Sequence, residues 1–152
     1  MEERNNWEGR EVEEDKLLNK NVLNLIEELH GKIEKIEKHF RVGGEEVDAI
    51  IYCGTKRRRI GIELKEADIE KAISQAINRR NFFNYFYIVL HCSKSWLGYI
   101  IYYLFRKNEL SHFFNYKIGL IIVNNEEAFL VFPSHFIKVG VEKFLNTKNN
   151  NL

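Results

Sequence analysis

The chain has 152 residues, 45% hydrophobic and 30% charged, with 23 Lys and Arg against 22 Asp and Glu. That length forms one domain burying about 70% of its unfolded surface, and 11 Phe, 7 Tyr and 2 Trp exclude a disordered polymer. A formal net charge of +1 excludes a binder held to nucleic acid by bulk electrostatics, though not one with a local basic face.

The segment MEERNNWEGREVEED is charged and lacks an apolar core, so no secretory signal is expected. Leu18, Val22, Leu25, Ile26 and Leu29 then recur at helical spacing and predict a helix over 11–30 that Gly31 ends. Residues 32–42 carry Ile33, Ile36, Phe40 and Val42 and read as a strand closed by a Gly43-Gly44 turn. VDAIIYC (47–53) and RIGIELK (59–65) read as an antiparallel hairpin, apolar on both faces and therefore covered on both sides. A helix follows over 67–83, with Ile69, Ala72, Ile73, Ala76 and Ile77 inward, and then a strand over 85–92.

Residues 94–107 predict an aromatic helix whose Trp96, Tyr99, Ile100, Tyr103 and Leu104 form core. Tyr102, off that stripe, is a candidate for a homodimer contact. Strands over 117–123 and 128–133 flank the Asn124-Asn125 turn. A short helix is expected over 135–145 and a frayed polar tail over 146–152. The longest apolar stretch, 97–105, falls well short of the roughly 20 residues a spanning helix needs. Cys53 and Cys92 each lie in a strand-like run, as lone buried thiols of a reduced, cytoplasmic protein do. The pattern predicts one domain over 1–152, with a core from about 11 to 92 and a C-terminal extension over 94–145.

Phosphate-loop, dinucleotide and nucleophile-elbow motifs are absent from the sequence. His30, His39, His91, His112 and His135 show no zinc spacing and read as structural or surface residues. The unusual placement is Asp48, a carboxylate inside an apolar strand, where burial is costly without compensation. Glu63 and Lys65 share one face of the next strand, about 7 Å apart. A turn centred between Thr55 and Lys56 sets Asp48 opposite Glu63 with about 5 Å between Cβ atoms. Opposed like charges destabilise a sheet, and a hard cation with oxygen ligands such as Mg²⁺ reverses that penalty. Two E-x-K tripeptides occur, at Glu14–Lys16 and Glu63–Lys65, which is about what chance supplies. Strand context and the partner Asp48 distinguish the second.

This arrangement resembles the PD-(D/E)xK nuclease superfamily, in which an Asp begins one strand and E-x-K lies on the next, inside an α-β-β-β-α-β core. Asp48, Glu63 and Lys65 match, and Val47 stands where the pattern has Pro. The resemblance implies a restriction-endonuclease-like fold, a mixed central sheet flanked by helices on both faces. It also implies Mg²⁺-dependent hydrolysis of nucleic acid, as a DNA endonuclease in which Mn²⁺ substitutes, and a possible homodimer. Asp48 and Glu63 would hold the metal and Lys65 would position the attacking water. Gln75, in KAISQAINRR, fits the polar residue the family places on the following helix. Glu14 is the candidate for an acid from the first helix, with Glu11 and Glu28 as rivals.

Lys56, Arg57, Arg58 and Arg59 cluster at the hairpin tip, either as a solvated turn or as phosphate contacts beside the metal site. Arg79 and Arg80 follow on the helix carrying Gln75, and Lys71, Gln75 and Arg79 share one helical face. Two competing readings stand beside the nuclease. One is a non-catalytic nucleic-acid-binding or assembly subunit on the same fold. The other is a small α/β interaction protein in which Asp48 is a structural carboxylate.

Overall fold

The computed structural model describes residues 14–139. Glu11, the latter part of the helix expected over 135–145, and the tail over 146–152 lie outside the described residues.

Helix α1 spans Lys20–His30, later than the apolar stripe predicts. Asn19 is the reason: its Oδ1 accepts from the Val22 N–H at 3.1 Å and caps the helix. Leu17 and Leu18 are buried in the turn before it. Gly31 ends α1 at φ 101°, a conformation that favours glycine.

Six strands follow: β1 (Ile33–Val42), β2 (Glu45–Cys53), β3 (Arg58–Lys65), β4 (Tyr85–His91), β5 (Ile118–Val123) and β6 (Ala128–Phe132). They form one sheet in chain order. β1, β2 and β3 make an antiparallel meander, β3, β4 and β5 are parallel, and β6 returns antiparallel on the edge. The parallel pairs need crossovers. Helix α2 (Ile69–Arg79) makes the first, and α3 (Lys94–Arg106) with the short α4 (Leu110–Asn115) makes the second. Asp68 caps α2 by accepting from the Lys71 N–H at 3.1 Å.

The two apolar faces expected of β2 and β3 are both covered. On one, Ala72, Ile73 and Ala76 of α2, Leu104 of α3 and Phe113 of α4 pack on Ile50, Ile88 and Leu120. On the other, Val22 and Ile26 of α1 pack on Ile51, Ile60, Ile62 and Val89. Each such fully buried Ile or Leu contributes about 1.5–3 kcal/mol. The C-terminal elements complete this same sheet, so the core does not stop at residue 92.

Two expectations fail. The aromatic helix meets the core through its aliphatic residues and not its aromatics: Leu104 is buried and Leu97 and Ile100 pack inward, Ile100 and Leu104 as expected, whereas Trp96, Tyr99, Tyr102, Tyr103 and Phe105 are exposed. The aliphatic residues take the inward stripe at i, i+3 and i+7, and Trp96, Tyr99 and Tyr103 each sit one position before it, rotated away from the sheet. The segment after β6 is not helical over residues 133–139. Its polar groups are drawn into the fold instead. Ser134 Oγ accepts from the Phe86 N–H at 3.0 Å and donates to the Lys117 carbonyl at 2.7 Å, and the Ile137 N–H donates to the Asn84 carbonyl at 2.9 Å. Among the described residues no helix is long and apolar enough to cross a membrane.

Candidate active site

The β2–β3 ladder runs from Cys53↔Arg58 to Ala49↔Ile62, the register that the Thr55–Lys56 turn predicts. The next pair along would be Asp48 and Glu63. There a side chain takes over from the backbone ladder, with Asp48 Oδ2 accepting from the Leu64 N–H at 2.7 Å. On the other flank of β2, the pairing steps from Lys38↔Ala49 to Phe40↔Val47 and skips the position where His39, at φ 53°, faces Asp48. The alternation of side chains breaks at this point. Ala49, Ile51 and Cys53 pack on the α1 side, while Val47 packs with the α2 side. Asp48 therefore sits where β2 switches faces. Burial raises its pKa, the Leu64 N–H and then Lys65 pull it back, and Glu14 adds to the rise.

Glu63 is 3% exposed. Its neighbours Ile62 and Leu64 point to the α1 side, so alternation turns Glu63 toward α2. Arg79 Nη1 stands 3.5 Å from Glu63 Oε1, and Arg79 Nη2 stands 3.2 Å from Glu45. Burial first, and the Asp48 charge second, push the Glu63 carboxyl up to about 8 against the pull of Arg79 and Lys65. Glu63 Oε1, Gln75 Oε1 and the Nε and Nη1 of Arg79 are all buried without a hydrogen-bond partner. Of these, Glu63 Oε1 and Arg79 Nη1 still face each other as an ion pair at 3.5 Å, which leaves Gln75 Oε1 and Arg79 Nε as the atoms without a hydrogen bond or an ion-pair contact.

Glu14 reaches the same strand end. Its Oε2 accepts from the Glu66 N–H at 3.1 Å, and it lines a cleft of about 430 Å³ with Lys65, Glu66, Ala67, Asp68 and Lys71. Of its rivals, Glu28 is exposed on α1 and Glu11 lies outside the described residues. Glu14 and Lys65 thus both lie close enough to act on the carboxyls of Asp48 and Glu63, and Gln75 and Arg79 are on α2.

The basic residues are placed differently from expectation. Lys56, Arg57, Arg58 and Arg59 sit at the turn end of the hairpin, with Arg59 and Arg58 about 13 and 16 Å along β3 from Glu63 at 3.3 Å per residue. A hairpin whose acids lie at its open end must hold its turn at the other. Arg57 stacks on Tyr52 and Arg58 on Phe136, the latter at 4.2 Å from the ring centre. Arg80 is wholly buried and donates to the carbonyls of Phe83, Asn84, Tyr116 and His135, so it offers nothing to a phosphate. Arg79 is buried between Glu63 and Glu45, a partner of the acids and not an exposed phosphate contact.

Sequence reasoning missed His39 and Glu46. His39 Nδ1 lies 2.9 Å from Glu46 and Nε2 lies 3.1 Å from Asp15, and ligand atoms of His39, Glu46 and Asp48 lie within 4.8 Å of one another. The Asp15 hydrogen bond leads the causes that raise the His39 pKa. With a carboxylate at hydrogen-bond distance from each ring nitrogen, the arrangement favours the protonated ring. The signal was present: centring the first hairpin on Gly43-Gly44, as Val42↔Glu45 pairing requires, sets His39 opposite Asp48.

The fold and site together define a mixed α/β protein with a cleft at the end of β3 lined by both acids and lysines: Glu14, Lys65, Glu66, Asp68 and Lys71. No family model and no curated protein matches the chain. Among solved structures, a protein of unknown function from Silicibacter pomeroyi is similar in fold, with TM-score 0.55 and 12% identity over 86% of this chain and 80% of that one. At that identity the likeness is one of architecture.

Proposed function

We propose that the protein is a Mg²⁺-dependent nuclease of restriction-endonuclease-like fold that hydrolyses phosphodiester bonds, with DNA as substrate. The observation that carries the reading is the carboxylate pair at the open end of the β2–β3 hairpin. Asp48 bridges to the Leu64 N–H, and beside it Glu63 is buried with an oxygen that has no hydrogen-bond partner. The order α1-β1-β2-β3-α2-β4 supports it, because that is the order of the PD-(D/E)xK core.

Among the described residues, the group whose ligand atoms already lie within 4.8 Å of one another is His39, Glu46 and Asp48, whereas by donor type Asp48, Glu63 and Glu14 suit a hard divalent cation, since they offer carboxylate oxygens. Mg²⁺ bound there supplies a water of lowered pKa and neutralises charge on the phosphate. Lys65, on the face of Glu63, holds the attacking water and offsets the negative charge that develops at phosphorus. Gln75 orients Lys65 or that water from α2. Arg79 keeps Glu63 in place and favours its ionised form.

The second reading is a non-catalytic nucleic-acid-binding or assembly subunit. One contact favours it: Arg79 leans on Glu63 and already supplies a cation where the metal would.

Cleavage of single-stranded, branched and duplex DNA with Mg²⁺, in wild type, Asp48→Ala and Lys65→Ala, tests the first reading. We expect each substitution to lower the rate at least about a hundredfold with circular dichroism unchanged. Equal rates in all three remove the site. Calorimetric titration with Mg²⁺ and Mn²⁺ separates the readings, since a subunit without metal chemistry gives no binding heat that Asp48→Ala abolishes.

A further inference from the structure

The basic cluster at the hairpin tip borders a cleft at the opposite end of β3 from the carboxylates. Its volume is about 250 Å³, and Thr55, Lys56 and Arg58 line it together with Gly54, His30 and Tyr85. At roughly 30 Å³ for each water displaced, that is room for a phosphate group. Among the described residues no acid lines it. Glu27, the acid that acts on nearby Cys53, is turned back to accept from the Ile33 N–H at 2.8 Å.

Local structure fixes the cations in place. The Gly54 N–H donates to the Lys32 carbonyl at 2.9 Å and the Arg57 N–H to the Gly54 carbonyl at 3.0 Å, so the turn is tied to the end of α1. A Cβ on Gly31 would stand 3.2 Å from the Gly54 Cα, so the two segments approach this closely through glycines. A row of rings runs beside the turn. His30 and Tyr85 have centres 4.1 Å apart, Tyr85 and Phe136 5.8 Å, and the Arg58 guanidinium lies 4.2 Å from the Phe136 centre. Arg58 is thus held by a ring, which lowers the entropy it would lose on binding a ligand.

Charge selects the occupant. Lys56 and Arg58 take part in no ion pair among the described residues. Leu29 and His30 bring the carbonyl end of α1 to the cleft, and it opposes an anion by about half a charge. Two full cations outweigh it. His30 adds a neutral donor. Burial lowers its pKa to about 4, so the ring is uncharged at neutral pH. Nε2 lies 2.7 Å from the Tyr87 hydroxyl, whose oxygen takes the Ser134 N–H. A hydroxyl that accepts from Ser134 donates to Nε2, which leaves the ring proton on Nδ1. That N–H has no hydrogen-bond partner among the described residues. A phosphomonoester carries about −1.5 to −2 at pH 7 and so matches two cations better than a phosphodiester with its single charge.

We infer that this cleft binds a phosphomonoester group, with Lys56 and Arg58 on its oxygens and Thr55 and His30 as neutral donors. The site stands apart from the candidate active site and does not depend on the nuclease reading.

Isothermal titration calorimetry with inorganic phosphate, in Mg²⁺-free buffer at neutral pH and fixed ionic strength, tests it. Wild type is expected to give saturable binding that Lys56→Ala/Arg58→Ala weakens at least about tenfold. Lys107→Ala, at the far end of α3, should bind like wild type. Lys56→Ala alone, on the exposed turn, keeps the test valid if loss of the Arg58–Phe136 contact disturbs the fold, and it should weaken binding several-fold. Equal affinity in wild type and Lys56→Ala overturns the proposal, as does the absence of saturable heat. An equal loss in Lys107→Ala marks general attraction to basic residues and overturns it too. Oligo-dT bearing a 5′-phosphate, the same strand ending in a hydroxyl, and a nucleoside monophosphate identify the source. Tightest binding of the phosphorylated strand assigns the cleft to strand ends, and tightest binding of the free nucleotide assigns it to a small molecule. Equal binding of the two strands, lost in Lys56→Ala, marks a phosphodiester contact and overturns the monoester assignment. Asp48→Ala should bind phosphate as wild type does, so failure of the nuclease reading leaves the cleft untouched.

Discussion

Burying the carboxyl of Glu63 beside Asp48 gives the protein a pH dependence of definite sign. Its ordinary value is 4.5 and the folded value about 8. Below about pH 4.5 the group is neutral in both states and costs nothing. Between there and pH 8 the unfolded chain gives up its proton while the native protein keeps it, so stability falls as pH rises and then levels off. Asp48 is shifted in the same direction. Glu63→Gln should therefore match wild type in denaturant midpoint near pH 4.5 and exceed it at pH 8.5, by on the order of a few kcal/mol. Mg²⁺, which requires the ionised form, should raise the melting temperature and release a proton at pH 7, measurable as a buffer-dependent heat. His30 has the opposite sign: burial lowers it to about 4, so its contribution is full above 6.5 and is lost as pH falls through 4. Fluorescence-monitored urea curves across pH 4 to 9 check both.

At the scale of elements, the hairpins were legible because a turn and an alternation are local. The Thr55–Lys56 turn alone sets the observed β2–β3 register, and the period-2 pattern of RIGIELK puts Glu63 and Lys65 on the face away from Ile62 and Leu64. What alternation did not reveal is the switch at Asp48, because it depends on His39 at positive φ in the neighbouring strand. The close approach of strands to their coverings has its own test. A Cβ at Gly119 of β5 would stand 2.4 Å from the Tyr87 ring and 2.7 Å from the backbone nitrogen of Ser134. Gly119→Ala should cost about 1–3 kcal/mol in urea unfolding, since neither neighbour is a free side-chain end.

Across the whole molecule the near-cancelling charges do not separate into an acidic pocket with a basic rim. The acids do gather at the open end of the hairpin, but Lys56–Arg59 lie at its other end and Arg79 and Arg80 point inward. Arg80 works instead as a tie. Its guanidinium joins the start of β4, the approach to β5 and the segment after β6 through four backbone carbonyls, at 2.7 to 3.3 Å. Arg80→Leu leaves those carbonyls without their donor and should cost about 3–5 kcal/mol, read as a large drop in melting temperature. Lys56→Ala, on the exposed turn, should leave the melt within about 0.5 kcal/mol of wild type.

The sequence by itself determined neither α4 nor the non-helical course of residues 133–139, but it did determine the order of the strands and of the helices as far as α3, the register of the second hairpin, and the carboxylates and lysine at its open end. Those features follow from periodicity and from turns only a few residues long. The tertiary structure decided which way the remaining polar and aromatic residues face. Arg80 is drawn inward by carbonyls as far away as Tyr116 and His135, and α3 turns its aromatics outward because Leu97, Ile100 and Leu104 fit the sheet. His39 comes to Asp48 only when two strands pair. Such placements depend on partners distant in the chain, and no local pattern encodes them.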